Sequence, residues 1–445
     1  MILLIVLAAF TLFSFFVFFF INKYSRESYL LFNAWFLPLM CLGVTPEAFG
    51  GLKVFDLLAY FGFFFFFRDF IFMSGSNRVY FYLFGALMIT VLAGSLNSEF
   101  VNNSLLNILS VLPIFIFGRL LIKEVSENPW IMNRMIHAFR FSFFIAAVFI
   151  SMQILVGIGF TFYPDLNPNV TTDDGIRYPG FFMDSQTNSQ FLGMLSFLFL
   201  INFKNILKPA LLNYLLFSLV MISMFLSGGR SGFFGFAVGF AFLLLFMGWR
   251  LRYFIGGGAL VAIAAMPFMK DSFVLFRRID TVDDSYIFRA YIWKEAYDIF
   301  LHHKLLGIGI GNYKDYVNRY SSDQYYVLKD NTILLLDQPE NGYLKMLTEL
   351  GAIGFGISFL LVILPVAKAM YAHLKRRNNY LALFFIASII CWLVSFDSLY
   401  TLTDRRIVIL LASLVCFVIK SGAFVSVRER NRIIELPLTN RLSPL

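Results

Sequence analysis

The chain has 445 residues, of which 59% are hydrophobic, 19% aromatic and only 14% charged, with a formal net charge of +9. At a mean hydropathy of +0.75 a soluble globular interior is excluded, and the composition marks an all-α polytopic integral membrane protein. The basic excess would suit nucleic acid, but the positions of the charges assign it elsewhere.

A membrane span needs about 20 mostly apolar residues. The first run, "MILLIVLAAFTLFSFFVFFFI", has no basic leader and is a full span long, so it reads as a retained helix and not a cleaved signal. Spans are predicted at 2–21, 28–46, 52–72, 79–97, 104–122, 138–160, 187–203, 209–227, 231–248, 252–269, 342–372, 379–398 and 405–420, which makes about 12–13 transmembrane helices. The third is weakened by Asp56, Arg68 and Asp69. Neither a repeat nor a Gly/Ser linker divides the chain, so residues 1–445 read as a single integral domain. Cys41, Cys391 and Cys416 lie inside apolar runs and read as small buried hydrophobes.

Orientation follows from the short basic connections. Lys204 and Lys208, Arg250 and Arg252, Lys375 to Arg377, and the tail Arg428, Arg430 and Arg432 alternate with the spans and fall on one side, the cytoplasm. The segment 119–140 joins them, and the +9 charge is largely this signal. Counting back through thirteen spans puts the N-terminus outside, and inside if the third is not a span. The opposite face then carries the insertion 161–186 and a large loop, 270–340, with nine Lys/Arg against eleven Asp/Glu. Within that loop, 285–303 is amphipathic: Tyr286, Phe288, Ile292, Tyr297 and Phe300 suit a helix lying on the membrane surface.

Four outer stretches have residues suited to chemistry. In "GIRYPGFFMDSQTNSQFLG" (175–193), Arg177 precedes a Pro-Gly turn, a rigid base for gripping a phosphate oxygen, while Asn188 and Gln190 suit sugar hydroxyls. A polar loop with an Asp or Thr helix cap explains the same residues. In "FLSGGRSGFFGF" (225–236), Arg230 stands between two apolar runs. Gly228, Gly229 and Gly232 free the backbone there, and helix amides beginning near Ser231 favour an anion. An arginine snorkelling to lipid phosphates fits equally well.

The third stretch, "FRAYIWKEAYDIFLHHKLLGIGIGNY" (288–313), sets Arg289 and Trp293 on one helical face and ends in a glycine run. That run lacks the strand–helix context of a dinucleotide loop and reads as a turn. His302 and His303 are adjacent, hence on different faces, and make a weak metal pair. In the fourth, "DQPENGYLKMLTELGAIGFGI" (337–357), Asp337 and Glu340 read as a capping box, while Glu340 is equally placed to be a base beside the membrane.

Taken together and in this order, "RYPGFFMDSQTN", "SGGRSG", "RAYIWKEAYDIFLHHKLLGIGIGNY" and "ENGYLKMLTELGAIGF" resemble the O-antigen ligase and polymerase superfamily of bacterial envelope glycan assembly. The most specific element is the pair "LLGIGIGNY" and "NGYLKMLTELGAIG". The resemblance implies a multi-pass inner-membrane glycosyltransferase whose site faces the periplasm. Its donor and acceptor are carried on undecaprenyl diphosphate, and it uses neither cofactor nor metal. Carried onto this chain, Arg177, Arg230 and Arg289 surround the diphosphate and neutralise the leaving group. Glu340 is the base, and Asn188, Asn341, Tyr343 and Tyr313 are candidate sugar contacts.

Ligases of the superfamily generally carry His-Asn where this chain has Glu340-Asn341. That difference favours the polymerase, which transfers growing O-antigen onto the next lipid-linked repeat. The alternative is the ligase, whose acceptor is lipid A–core. Other expected partners are membrane lipids and a chain-length regulator, not nucleic acid. A lipid-linked oligosaccharide flippase is the reading from another class. Transporters usually carry their charges near the bilayer midplane in related halves, whereas here they gather in outer loops. The orientation is tested by placing cysteines in 270–340 and in 375–377. An impermeant thiol reagent on intact spheroplasts is expected to label the first set and spare the second, and the reverse pattern would invert the map.

Overall fold

The computed structural model describes the whole chain except residues 1, 46–50, 72–77, 164–165, 168–169, 173–174, 203–210, 248–252, 254–273, 278–281, 322–324, 328–332, 336–337, 377–378 and 436–445. The span expected at 252–269 lies outside the described residues. Elsewhere the apolar runs are helices, the form that satisfies backbone polar groups within a single segment in lipid.

Among the described residues five helices are long and apolar enough to cross a membrane, and the chain is an all-α polytopic membrane protein. They belong to α1 (Ile2–Ile21), α5 (Arg78–Leu96), α6 (Val101–Glu127), α7 (Ile131–Leu155) and α14 (Gly342–Arg376). Shorter apolar helices are α3 (Val54–Phe65), α9 (Leu211–Ser227), α10 (Arg230–Phe246) and α15 (Tyr380–Phe396). Between α7 and α9 lies α8 (Ser185–Phe199), enclosed by α9, α10 and α15 and buried along most of its length. The last helix among the described residues is α16 (Arg405–Glu435), which packs on α6. The only strands among the described residues are two short antiparallel pairs, Thr171–Thr172 with Gly175–Ile176 and Tyr325–Val327 with Ile333–Leu335.

Two expected spans take a different form. The run 28–46 is a ten-residue helix, α2 (Arg26–Trp35), followed by a 3-10 turn at Leu37–Leu39. Pro38 supplies no amide for a continuous α-helix and sits at the start of that turn. The run 52–72 divides into α3 and the single turn α4 (Arg68–Ile71).

The two aspartates that weakened the third run are paired. Asp56 is fully buried and accepts from Arg405 at 2.8 and 3.1 Å. Asp69 accepts from Arg26 at 2.7 Å and Lys123 at 2.6 Å, and Arg26 also reaches Glu124 at 3.1 Å. Glu127 and the pair Glu27–Arg134 extend this belt. The belt ties the start of α2 to the end of α6, one face of the bundle, whereas Arg405 begins α16 at the other. Ionised groups in a bundle interior pair in this way because lipid offers them no hydration.

The outer loop includes α11 (Val274–Arg277), α12 (Val282–His302) and α13 (Tyr313–Tyr320). The amphipathic α12 does not lie free on a surface. It packs on α14, burying Ile292, Ala296 and Ile299 with Ile308, Tyr313 and Val317, while Tyr297 stays half exposed.

The glycine run after α12 is more than a turn. It inserts into a break in α14 at Gly351, where φ is 64° and ψ −179°. A broken helix leaves carbonyls without intrahelical partners, and here the run supplies them. Ile308 N–H donates to Thr348 O at 2.9 Å and Gly309 N–H to Glu349 O at 3.1 Å, while Ala352 N–H donates back to Lys304 O at 2.8 Å. Asn312 closes the insertion from the other side, donating to Ser98 and Ser104 at 2.7 and 2.6 Å.

A side chain at Gly351 would place its Cβ 2.3 Å from Leu305 O, in a backbone conformation open to glycine alone. Gly351→Ala is therefore expected to cost about 1–3 kcal/mol or more, read as a lower unfolding temperature in detergent. Gly356→Ala, with open space around it, is the control expected to stay near wild type.

Candidate functional site

The four outer stretches converge. The 177–190 segment folds over the turn between α9 and α10: Tyr178 N–H donates to Leu226 O at 3.2 Å, Ser227 Oγ to Ser185 O at 2.6 Å and Ser189 Oγ to Gly229 O at 2.8 Å. The glycines of that turn serve this contact. A Cβ on Gly229 or Gly232 would meet Ser189 at 2.5 or 2.4 Å, so their missing side chains admit α8 and not a ligand. Arg177 is 1% exposed and packs its stem against Gly228, beneath the turn. Arg230 opens α10 directly above it and is partly exposed.

Above the turn lies a cleft of about 470 Å³, bounded by Ser231, Phe234, Arg289, Trp293, Tyr343 and Asp397. Four elements contribute: α10, α12, the start of α14, and the end of α15. At its edge Arg289 Nε lies 3.4 Å from Glu340 Oε2, with side-chain exposures of 19% and 34%. The residues fifty-one positions apart in sequence meet because the glycine run fixes α12 against α14.

Glu340 is not the cap of α14. Asn341 is: its Oδ1 accepts from Leu344 N–H at 3.1 Å. Asp337, the other half of the expected box, lies outside the described residues. Glu340 precedes the helix with a φ of 45°, a left-handed conformation that turns it out of the helical path. Its carboxylate thereby points to Arg289 and is spared for other work.

The expected sugar contacts separate. Tyr343 borders the cleft, its hydroxyl donating to Leu393 O at 2.5 Å. Asn341 is 6% exposed and engaged at both ends, since its Nδ2 donates to Asp397 Oδ1 at 3.0 Å. Asn188 is fully buried, donating to Tyr178 O at 3.1 Å, and Gln190, also buried, donates to Ser395 at 2.7 Å. Tyr313 is 1% exposed in the α12 core. Asn188 and Tyr313 are thus buried in the packing of these segments and do not border the cleft. The side chains of Tyr325 and Tyr326 lie outside the described residues.

Two features were missed in the sequence. Asp397 puts a second carboxylate on the cleft, yet it sits in an ordinary turn between spans and has no motif of its own. Arg406 is 2% exposed, donates to Phe181 O at 2.7 Å and stacks 4.0 Å over Phe182, clamping the "RYPGFF" turn from below. Burial tends to raise the carboxyl of Asp404, but the Arg406 guanidinium beside it outweighs that and holds it below the usual range. Burial, then the neighbouring His302, lower His303 from its ordinary value. A neutral ring fits its place 3.1 Å from the Tyr316 hydroxyl. Among the described residues no three His, Cys, Asp or Glu side chains are grouped to hold a metal.

The arrangement can grip an anion at the arginines and accept a proton at a carboxylate a few ångströms away. No curated protein matches the chain. One family model does: that of the O-antigen ligases, over residues 214–359, the third of the chain that holds Arg230, Arg289 and Glu340 and leaves Arg177 outside. Over that third the match supports the resemblance to the O-antigen ligase and polymerase superfamily.

Proposed function

We propose that the protein is a membrane glycosyltransferase that polymerises undecaprenyl-diphosphate-linked O-antigen repeats at the periplasmic face of the bacterial inner membrane. The observation carrying this reading is the Arg289–Glu340 pair at the edge of the cleft, a cation and a carboxylate 3.4 Å apart where the outer loop meets the membrane helices. In the reaction, a hydroxyl of the acceptor sugar attacks the anomeric carbon of the donor glycan. The bond from that carbon to the diphosphate oxygen breaks, and the electron pair leaves with the lipid diphosphate. The hydroxyl proton passes to Glu340.

Arg289 and Arg230 take the growing negative charge on the leaving group, which in a water-poor cleft counts for far more than in bulk solvent. Arg177, buried beneath the turn, acts through it by adding positive potential and fixing the position of Arg230. Substrate diphosphate also draws Arg289 away from Glu340, freeing the carboxylate as the donor arrives. Tyr343 and Asp397 border the space left for the acceptor, and a chain-length regulator is the expected protein partner.

A ligase activity toward lipid A–core is the second reading, favoured by the description of the matching family model as O-antigen ligase. A deletion strain separates the two. Lipopolysaccharide of core plus one repeat supports polymerase, and bare core with accumulated lipid-linked polymer supports ligase. Loss of outer-leaflet intermediates would instead point to a flippase.

A charge-assisted contact of about 1.5–3 kcal/mol makes Arg289→Ala and Arg230→Ala ten- to a hundredfold slower. Lysine is expected to rescue only partly, since it keeps charge without the planar fork. Well-expressed alanine variants with normal polymer would remove the arginines from the mechanism.

Glu340→Gln is sharper. Asn341 holds the helix, so the change should leave folding intact while removing a base that contributes about 10²–10⁴-fold. The measurement is polymer formed from purified lipid-linked repeats by the Gln, Asp and His variants. Histidine is expected to retain activity because it accepts a proton without carrying negative charge. A glutamine variant near the wild-type rate would show that Glu340 is not the base.

A further inference from the structure

On the far side of Tyr343 a second cavity runs along the bundle. Its volume is about 800 Å³, and α5, α6, α14 and α16 form its walls. One face of α16, from Arg405 through Val408, Ala412 and Val415 to Ile419, lines it. At 1.5 Å per residue those fourteen steps span about 21 Å, most of a hydrocarbon core. The middle is apolar and the ends are not. At the end nearer the cleft stand Lys53, Lys314 and Lys345 with Asn103 and Asn107, and at the other Arg78 and Arg119.

We propose that this groove holds the polyprenyl chain of the acceptor, a second polyprenyl-diphosphate-linked glycan, with its diphosphate against Lys53, Lys314 and Lys345. The inference rests on the polymerase reading above. A polymerase handles two lipid diphosphates at once, and the cleft bounded by Arg289 accounts for the one that leaves. The other must stay attached, so it needs a separate cationic seat and a separate path for its tail.

The groove offers both next to the same site, since Tyr343 and Leu393 line both cavities. Its acidic neighbours have partners of their own, although Glu349 also faces Lys345 and Asp56 also faces Lys53. Asp56 is matched by Arg405. Asp315 accepts from Asn103 at 2.9 Å, and Glu349 accepts from Tyr313 N–H at 3.4 Å. Lys345 lies 4.6 Å over the Tyr400 ring and Lys53 is 3.4 Å from Cys41 Sγ, weak contacts that an anionic oxygen would readily replace. Its length along α16 and volume of about 800 Å³ suit a single polyprenyl chain.

The test uses the full-length protein in nanodiscs and a polyprenyl diphosphate with a photoreactive diazirine in its tail, adducts being located by mass spectrometry. Labelling is expected on the groove faces of α6 and α16, such as Val111 and Val415, and is displaced by unlabelled polyprenyl diphosphate. Ala412→Trp, which fills the groove, should cut that labelling at least tenfold. Lys53→Glu with Lys345→Glu should do so without touching the apolar walls, which covers the case of a tryptophan variant that does not fold. Adducts confined to the outer surface of the bundle, or equal groove labelling by a diazirine phospholipid that polyprenyl diphosphate fails to displace, would overturn the proposal. A groove-filled variant that polymerises normally would also overturn it while leaving the polymerase reading in place. Groove labelling in a wild-type protein that forms no polymer would instead sink the polymerase reading and leave a lipid site.

Discussion

Everything on the outer face depends on the insertion of the glycine run into the break of α14. A helix interrupted at Gly351 exposes carbonyls that lipid cannot satisfy, and the run 307–311 is the segment that reaches them. Once it is seated, α12 has no freedom to slide along α14, so Arg289 arrives beside Glu340 and the Ile292–Ile299 stripe finds its partners. The closeness of the fit explains the density of glycine: a Cβ on Gly307 would fall 2.5 Å from the Glu349 backbone. The site is therefore positioned by backbone hydrogen bonds, which hold geometry better than paired surface side chains do.

The membrane character and most helices were legible in the sequence because lipid imposes one rule, long apolar runs become helices, and that rule is local. It failed where another constraint competed. Pro38 shortened the second run, and the α12 stripe turned out to face α14 because a protein neighbour outcompetes the membrane surface for Ile292 and Ile299. For the site, Arg230, Arg289 and Glu340 were visible as costly charges beside apolar chain. The division of labour between Glu340 and Asn341 was not, since either residue type can cap a helix and only the positive φ of Glu340 separates them. Asn188 and Tyr313 looked available because sequence reports polarity and aromaticity but not burial. Asp397 had no local signal at all.

The cleft and the groove differ in how they hold charge. The cleft is bordered by one guanidinium, that of Arg289, held beside Glu340. The groove mouth uses ammonium groups on long flexible stems. Rigid planar donors suit a charge that develops in one place during reaction, while mobile point charges suit an anion that must enter, stay and move on. The two neighbouring cavities meet at Tyr343.

The buried pair between Asp56 and Arg405 bears on how the chain enters the membrane. The partners are separated by 349 residues, so at roughly 5–20 residues per second the ribosome needs about 20–70 s to supply the arginine after the aspartate. During that interval α3 carries a carboxylate held only by its local partner Lys53, whose N–H donates to it at 3.0 Å, and its insertion is provisional. Only the arrival of α16 makes its place permanent, so the last apolar helix acts as a lock on one of the first.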